Sequence, residues 1–367
     1  MKGFTVFFTL ILCFILSCGE TTTVEEVTYP VVTYTASTFI DVDYIFNNEG
    51  LNQPTMVRVI PETNEVVVLD EGNVCLYVFS QDGTHLRTIG RKGQGPGDLY
   101  RPMFIEVDDW GDIYVFESGN RRISIFSKEG KLYNTFGLEQ IPDMRGTPSG
   151  LSITKDREVV MNLPSRGYYI TVYSRDGEVL REIGDITKYG FSGKDVEGRT
   201  FDEAHFDELY AQGYPFVDEN GNYYIFLNRN PIVKKYNKSG DFISERKLET
   251  PEIKTILEDW EPPEDRSESY IWYVSFFNQV VYKNSQFYIL NMGKPEPDDT
   301  EISMFVYVLD KGLKINKKIL LNGLNLGAQD YDSNREGVRF ALNMTFDINI
   351  DEEIFIPISV RAEILKL

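Results

Sequence analysis

The sequence predicts an all-β fold: a single six-bladed β-propeller of four-stranded antiparallel blades, with an N-terminal strand closing the last blade. Three observations carry this expectation. First, five segments repeat one pattern, an alternating apolar strand, a tight polar turn and a second strand. They are residues 74–90 (VCLYVFSQDGTHLRTIG), 121–137, 168–184, 231–248 and 304–320. Period-two alternation around a glycine-bearing turn marks a β-hairpin. Second, another hairpin precedes each of these, over residues 56–69, 104–116, 151–161, 216–226 and 280–290. Four strands recurring at just under fifty residues indicate a propeller blade. Third, the C-terminus holds an incomplete copy. Residues 344–348, 353–358 and 361–367 supply three strands, and the chain then stops.

The elements follow in order. The turn glycines are read as Gly83, Gly130, Gly177, Gly240 and Gly312, so the repeat lengthens towards the C-terminus by insertion. With blade strands named A to D from the centre outwards, the sixth copy lacks strand D. An orphan strand within residues 37–46 (STFIDVDYIF) is expected to supply it and close the ring. Closure leaves few exposed strand edges.

Composition fits a folded, exported body. Hydrophobic residues are 42% of the 367, which supports a sizeable core and excludes disorder as the main state. There are 57 acidic against 37 basic residues, a formal net charge of −20. That balance opposes a nucleic-acid partner, since grip on a phosphate backbone needs a basic footprint. Residues 1–17 (MKGFTVFFTLILCFILS) have a short positive start and an apolar run too short to span a bilayer comfortably. Ile15-Leu16-Ser17-Cys18 resembles a bacterial lipobox, which implies cleavage before Cys18 and lipidation of that residue. The expected organisation is a signal peptide over 1–17, a lipidated cysteine and flexible tether over 18–29, and the propeller over 30–367. Cleavage would remove Cys13, and lipidation would occupy Cys18. Cys75 is then left alone, so no intramolecular disulfide is expected.

Residues 107–137 (VDDWGDIYVFESGNRRISIFSKEGKLYNTFG) resemble an NHL repeat. Residues 90–102 (GRKGQGPGDLYRP) are similar to the glycine-rich signature of the six-bladed propeller lipoproteins common in Bacteroidetes. The resemblance implies the fold and an envelope location, with the outer membrane expected. It carries no catalytic residue to this chain.

Strand direction alternates within a blade. The B–C and D–A connections therefore share one face, and the A–B and C–D turns share the other. The long connections, 185–213, 249–270 and 322–340 (D–A) and 291–303 (B–C), all fall on the first face. Binding residues on rigid scaffolds concentrate in such loops. Residues 248–274 interleave eight acids with Trp260, Tyr270, Trp272 and Tyr273, and those four aromatics are candidate ligand contacts. Residues 201–213 have helical spacing and are expected as a short helix over the rim. In the 90–97 stretch, Gly93, Gly95 and Gly97 could cradle a phosphate. A strand rather than a helix follows and GK[ST] is absent, so a structural crossover is the better reading. It would still bring Arg91, Lys92 and Arg101 near the channel mouth as candidate contacts.

Asp218-Glu219-Asn220-Gly221-Asn222 lacks the bidentate glutamate of a calcium loop and reads as a turn. Calcium at the acidic rim has no motif behind it, so no cofactor or metal site is expected. His85 and His205 are the only histidines, and no GxSxG, HExxH or CxxC occurs. The expected function is a monomeric, lipid-anchored binding module for a glycan, a peptide or an envelope protein. The alternative is a lyase or hydrolase with carboxylates at the channel mouth.

Overall fold

The computed structural model describes residues 29–35, 37–38, 50–61, 63–138, 150–186, 211–251, 253–254, 276–277, 279–293, 303–322, 347–348, 354–358 and 363–366. Two N-terminal strands, β1 (Val31–Thr35) and β2 (Ser37–Thr38), precede the blades. Blade one is β3 (Pro54–Val59), β4 (Val66–Asp70), β5 (Cys75–Phe79) and β6 (His85–Ile89). Blade two is β7 (Pro102–Val107), β8 (Ile113–Glu117), β9 (Arg122–Phe126) and β10 (Leu132–Gly137). Blade three is β11 (Leu151–Ile153), β12 (Val159–Met161), β13 (Tyr168–Tyr173) and β14 (Val179–Asp185). Blade four is β15 (Gly213–Val217), β16 (Tyr223–Leu227), β17 (Ile232–Tyr236) and β18 (Phe242–Lys247). Blade five is β19 (Gln279–Lys283), β20 (Gln286–Gly293), β21 (Ser303–Leu309) and β22 (Ile315–Asn322). Blade six is β23 (Asp347–Ile348), β24 (Ile354–Ile358) and β25 (Glu363–Lys366). All pairs within blades are antiparallel, and strands A neighbour one another around the ring, with β23 and β24 against β3.

Closure occurs as expected. β2 pairs antiparallel with β25, Ser37 opposite Lys366, and supplies strand D of blade six. The remainder of the closing segment, residues 39–46, lies outside the described residues. One element has no counterpart in the sequence reading. β1 lies parallel to β22, from Val31 opposite Lys318 to Thr35 opposite Asn322, as a fifth strand on the outer edge of blade five.

Burial explains the patterning. Strands β4, β8 and β16 are buried at every position, because a strand B sits between two neighbouring blades. They read as continuous apolar runs such as VVVL and IYVF rather than alternating ones. The outer strand β18 is exposed throughout. The core consists of inter-blade layers, one joining blades one and two, the next two and three, and so on to blade five. In the layer between blades four and five, the fully buried Phe287 ring lies 4.8 Å from Tyr224, 4.9 Å from Phe226 and 4.7 Å from Tyr282.

The C–D turns share one geometry. The amide of the fourth residue donates to the first carbonyl: Gly83 to Ser80, Gly130 to Ser127, Gly177 to Ser174 and Gly240 to Asn237. Each of these glycines has φ near +90°. Blade five corrects the sequence reading. Leu313, not Gly312, donates to Asp310 and holds the left-handed position at φ +62°.

Cys75 begins strand C of blade one and is buried. Burial pushes its thiol up to about 11, against a partial offset from Tyr77. A fragment of residues 19–367 lacking the lipid should therefore leave Cys75 unreactive toward a disulfide reagent at pH 8. One equivalent should react only after denaturation, because the thiolate is the nucleophile. Rapid native reaction at this position would contradict the burial.

Candidate functional site

Strand direction puts every A–B and C–D turn on one face, the turn face, and every B–C and D–A connection on the other, the loop face. The connections after β10, β14, β18 and β22 and the one between β20 and β21 all leave from the loop face. Trp260, Tyr270, Trp272 and Tyr273, His205 and most of the expected 201–213 helix lie outside the described residues, as does Cys18.

The glycine-rich crossover from β6 to β7 is described in full, and it is structural as expected. The Gly95 amide donates to Asp98 Oδ2, and Arg91 Nε donates to Asp98 Oδ1 at 2.8 Å. That pairing with Arg91 holds the Asp98 carboxyl below its ordinary range. A side chain at Gly93 would meet Asp98 Oδ2 at 2.4 Å, so the close approach requires glycine there. The cradle is filled by the protein's own carboxylate. A parallel bridge from Lys92 to Leu99 pinches the loop at its base.

A second set of side chains holds the loop face together. Glu117, the last residue of strand B in blade two, is fully buried. It accepts from the Tyr100 amide (2.9 Å), Asn120 Nδ2 (2.6 Å), Arg122 Nε (2.8 Å) and Ser124 Oγ (2.6 Å). Arg122 also donates to the carbonyls of Gln94, Gly95 and Asp98, clamping the crossover from beneath. Asp70 takes the same position in blade one and accepts from the amides of Asn52, Gln53 and Asn73. In blade three it is Asn162, which donates to the carbonyls of Tyr169 and Ala211 and accepts from the Gly213 amide. Asp70 and Glu117 tie the connection entering their own blade to the end of strand B, and Asn162 ties the end of strand B to the connection that leads on to blade four. A signal was present in the sequence: Asp70-Glu71-Gly72-Asn73 and Glu117-Ser118-Gly119-Asn120 recur one repeat apart.

With Glu117 and Asp98 committed in this way, four cations of the crossover and the adjoining loop of blade two stand toward solvent. Arg91 is exposed and paired with Asp98. Lys92, Arg101 and Arg121 are exposed and form no ion pair among the described residues. The structure thus brings Arg91, Lys92 and Arg101 to one place, and adds Arg121, which the sequence reading did not select. Hydrogen bonds from Ser118 to the Arg101 carbonyl and from Asn120 to the Gly93 carbonyl hold the two loops side by side.

The turn face is organised by its own carboxylates. Asp218 accepts from the amides of Asn220 and Asn222 and from Tyr224 Oη, so the acidic stretch is a turn, as read. Asp108 does the same for Trp110, Asp112 and Tyr114. Blades are linked across this face by Arg157 to Asp108 and Asp112, by Arg175 to Asp112, and by Lys311 to Glu219. Donation from Lys311 and Tyr282 holds the Glu219 carboxyl down at about 2.

The central channel is narrow and largely apolar, lined by Met56, Phe104, Leu151, Phe216 and Val280. Towards its turn-face end Arg58 pairs with Glu106 at 3.0 Å. Among the described residues no cluster of histidine, cysteine and acids could hold a metal, and no helix is long and apolar enough to cross a membrane.

A ring of four-stranded blades around such a channel defines a β-propeller, and the repeat unit is NHL-like. Residues 36–140 match the DUF5128 family, described as a 6-bladed beta-propeller. Human NHL repeat-containing protein 3 is 31% identical over 99 residues, covering 25% of this chain and 28% of that protein. The human E3 ubiquitin-protein ligase NHLRC1 is 26% identical over 87 residues, covering 24% and 22%. The chain thus spans about a quarter of the length of these relatives. Two solved structures share the fold. A catalytically inactive virginiamycin B lyase from Staphylococcus aureus, solved with quinupristin, has a TM-score of 0.51 at 12% identity, over 90% of this chain and 98% of that one. A protein of Bacteroides fragilis described as exported has a TM-score of 0.50 at 13% identity, over 89% and 88%.

Proposed function

We propose that this protein is a lipid-anchored binding module of the bacterial envelope, held through Cys18, whose loop face receives a glycan, a peptide or another envelope protein. One observation carries the reading: the long connections all leave from one face of a rigid ring, while the opposite face keeps only short turns. Lys92, Arg101 and Arg121, exposed and in no ion pair among the described residues, support it. On a chain of net charge −20 they are a local reversal of sign, suited to an acidic group on the ligand. The connection after β18, which carries the acid- and aromatic-rich stretch over 248–274, leaves from the same face.

The test is a thermal-shift screen on residues 19–367 against envelope and dietary glycans and peptides, each with calcium and with chelator. A ligand that binds only the folded state raises the melting temperature with concentration. The expected result is such a rise for one ligand class, diminished by Lys92→Glu or Arg101→Glu. Turnover of a substrate by the purified protein, abolished by one loop-face substitution, would overturn the binding-module reading.

A further inference from the structure

The geometry points to the turn face as a surface that seats on the lipid bilayer holding the anchor, with the loop face directed away from it. This rests on the anchored reading above and adds an orientation to it.

The first argument is strand polarity. A strand D runs from its C–D turn to its D–A connection, hence from the turn face to the loop face. β1 is parallel to β22 and runs the same way, ending with Thr35 opposite Asn322, the last residue of β22. The chain therefore enters β1 from the turn-face side. Lys318 donates its amide to the Pro30 carbonyl, and the Tyr29 ring meets Tyr307 edge-on at 5.6 Å, so the entry point is fixed. Ten residues lie between Cys18 and Tyr29, so eleven Cα–Cα steps join them. Such a segment spans at most about 40 Å when extended and about 18 Å as a flexible coil. Bringing the loop face to the membrane would require it to run back along β22, whose eight residues cover about 26 Å. The coil length favours the near face.

The second argument is independent of the tether. Leu86, Tyr133, Val179, Leu180, Phe242 and Ile243 are exposed, and each is the first or second residue of a strand D in blades one to four. All six therefore stand at the turn-face end of the outer wall. Trp110 is 51% exposed in the A–B turn of blade two, across the ring from the tether. Arg157 lies over the Trp110 ring at 4.9 Å and Arg175 over the Tyr133 ring at 3.9 Å. Aromatic and arginine side chains in this association suit the headgroup level of a bilayer. Of the acids on this face, Asp108, Asp112 and Glu219 are paired with Arg157, Arg175 and Lys311, while Asp82, Asp109, Glu129, Asp156 and Asp176 are exposed, so the seating is expected on a zwitterionic rather than an anionic lipid surface.

The experiment uses the full lipidated chain on vesicles of phosphatidylcholine and phosphatidylethanolamine that carry a brominated, fluorescence-quenching lipid. Flotation is measured first. Trp260→Phe with Trp272→Phe leaves Trp110 as the sole tryptophan, and Trp110→Phe leaves the other two. Fluorescent probes are placed separately on Asp82→Cys in the turn face and Gln94→Cys in the loop face. The expected result is at least twofold quenching of Trp110 and of the residue-82 probe, with the other tryptophans and the residue-94 probe unaffected. Flotation with the residue-94 probe quenched instead overturns the seating and leaves anchoring intact. Flotation with neither probe quenched also overturns it, and points to a protein covering the turn face. Failure to float removes the anchored reading and the seating with it.

Discussion

Glu117→Ala is expected to lower the unfolding free energy of residues 19–367 by about 3–5 kcal/mol, the cost of leaving one member of a buried ion pair alone. Glu117 is fully buried and meets four donors at once, and Arg122 beside it is only 13% exposed. Removing the carboxylate strands the guanidinium against three carbonyls that cannot balance its charge. Glu117→Gln keeps the volume and should lose less, about 1.5–3 kcal/mol, the range for hydrogen bonds to a charged group. Urea unfolding measures both. Because Arg122 clamps the 90–102 crossover, amide exchange at Gly93 and Leu99 should accelerate in the alanine variant before global unfolding. A loss below about 1 kcal/mol would mean that the network is not a support of this face.

Phe287→Ala should be comparably damaging, at about 3–5 kcal/mol. Its ring fills the layer between blades four and five and touches aromatics from both, so truncation opens a cavity that rigid strands cannot collapse to fill. Phe242, 58% exposed on β18, is the matched control. Phe242→Ala should change stability by no more than about 0.5 kcal/mol, as surface substitutions generally do. Equal effects from the two would argue against the inter-blade layers as the source of stability.

The architecture was legible because a propeller writes itself locally. Each hairpin carries its own turn and alternation, and repetition multiplies a weak signal. Closure was legible for a related reason, since a sixth copy with three strands demands a donor. β1 was not, because VVTYT fits any sheet edge and only the tertiary arrangement selects the flank of blade five. Gly312 misled because residue type was weighed above position. The left-handed site is fixed by its distance from Asp310, and Leu313 falls there despite the strain. The loop face was legible in outline and not in mechanism. Arg121 and Arg122 are adjacent in sequence, yet Arg121 closes the turn at φ +48° and is exposed, while Arg122 opens β9 and reaches Glu117. The Asp-x-Gly-Asn and Glu-x-Gly-Asn repeat was not selected from the sequence, because burial of the leading acid depends on how the neighbouring crossover covers it.

The parallel ladder between β1 and β22 has a mechanical consequence. If the chain is anchored through Cys18 as proposed, drag on the body by flow or by a bound partner puts tension on Tyr29 along the axis of β1. The five residue pairs from Val31–Lys318 to Thr35–Asn322 are then loaded in shear and share the force together, instead of peeling one at a time. The chain passes directly from that ladder to β2, so the pull reaches the ring's closing strand only after β1 has slid free. A strand that sequence would treat as a spare edge is placed as the strain relief of the whole ring.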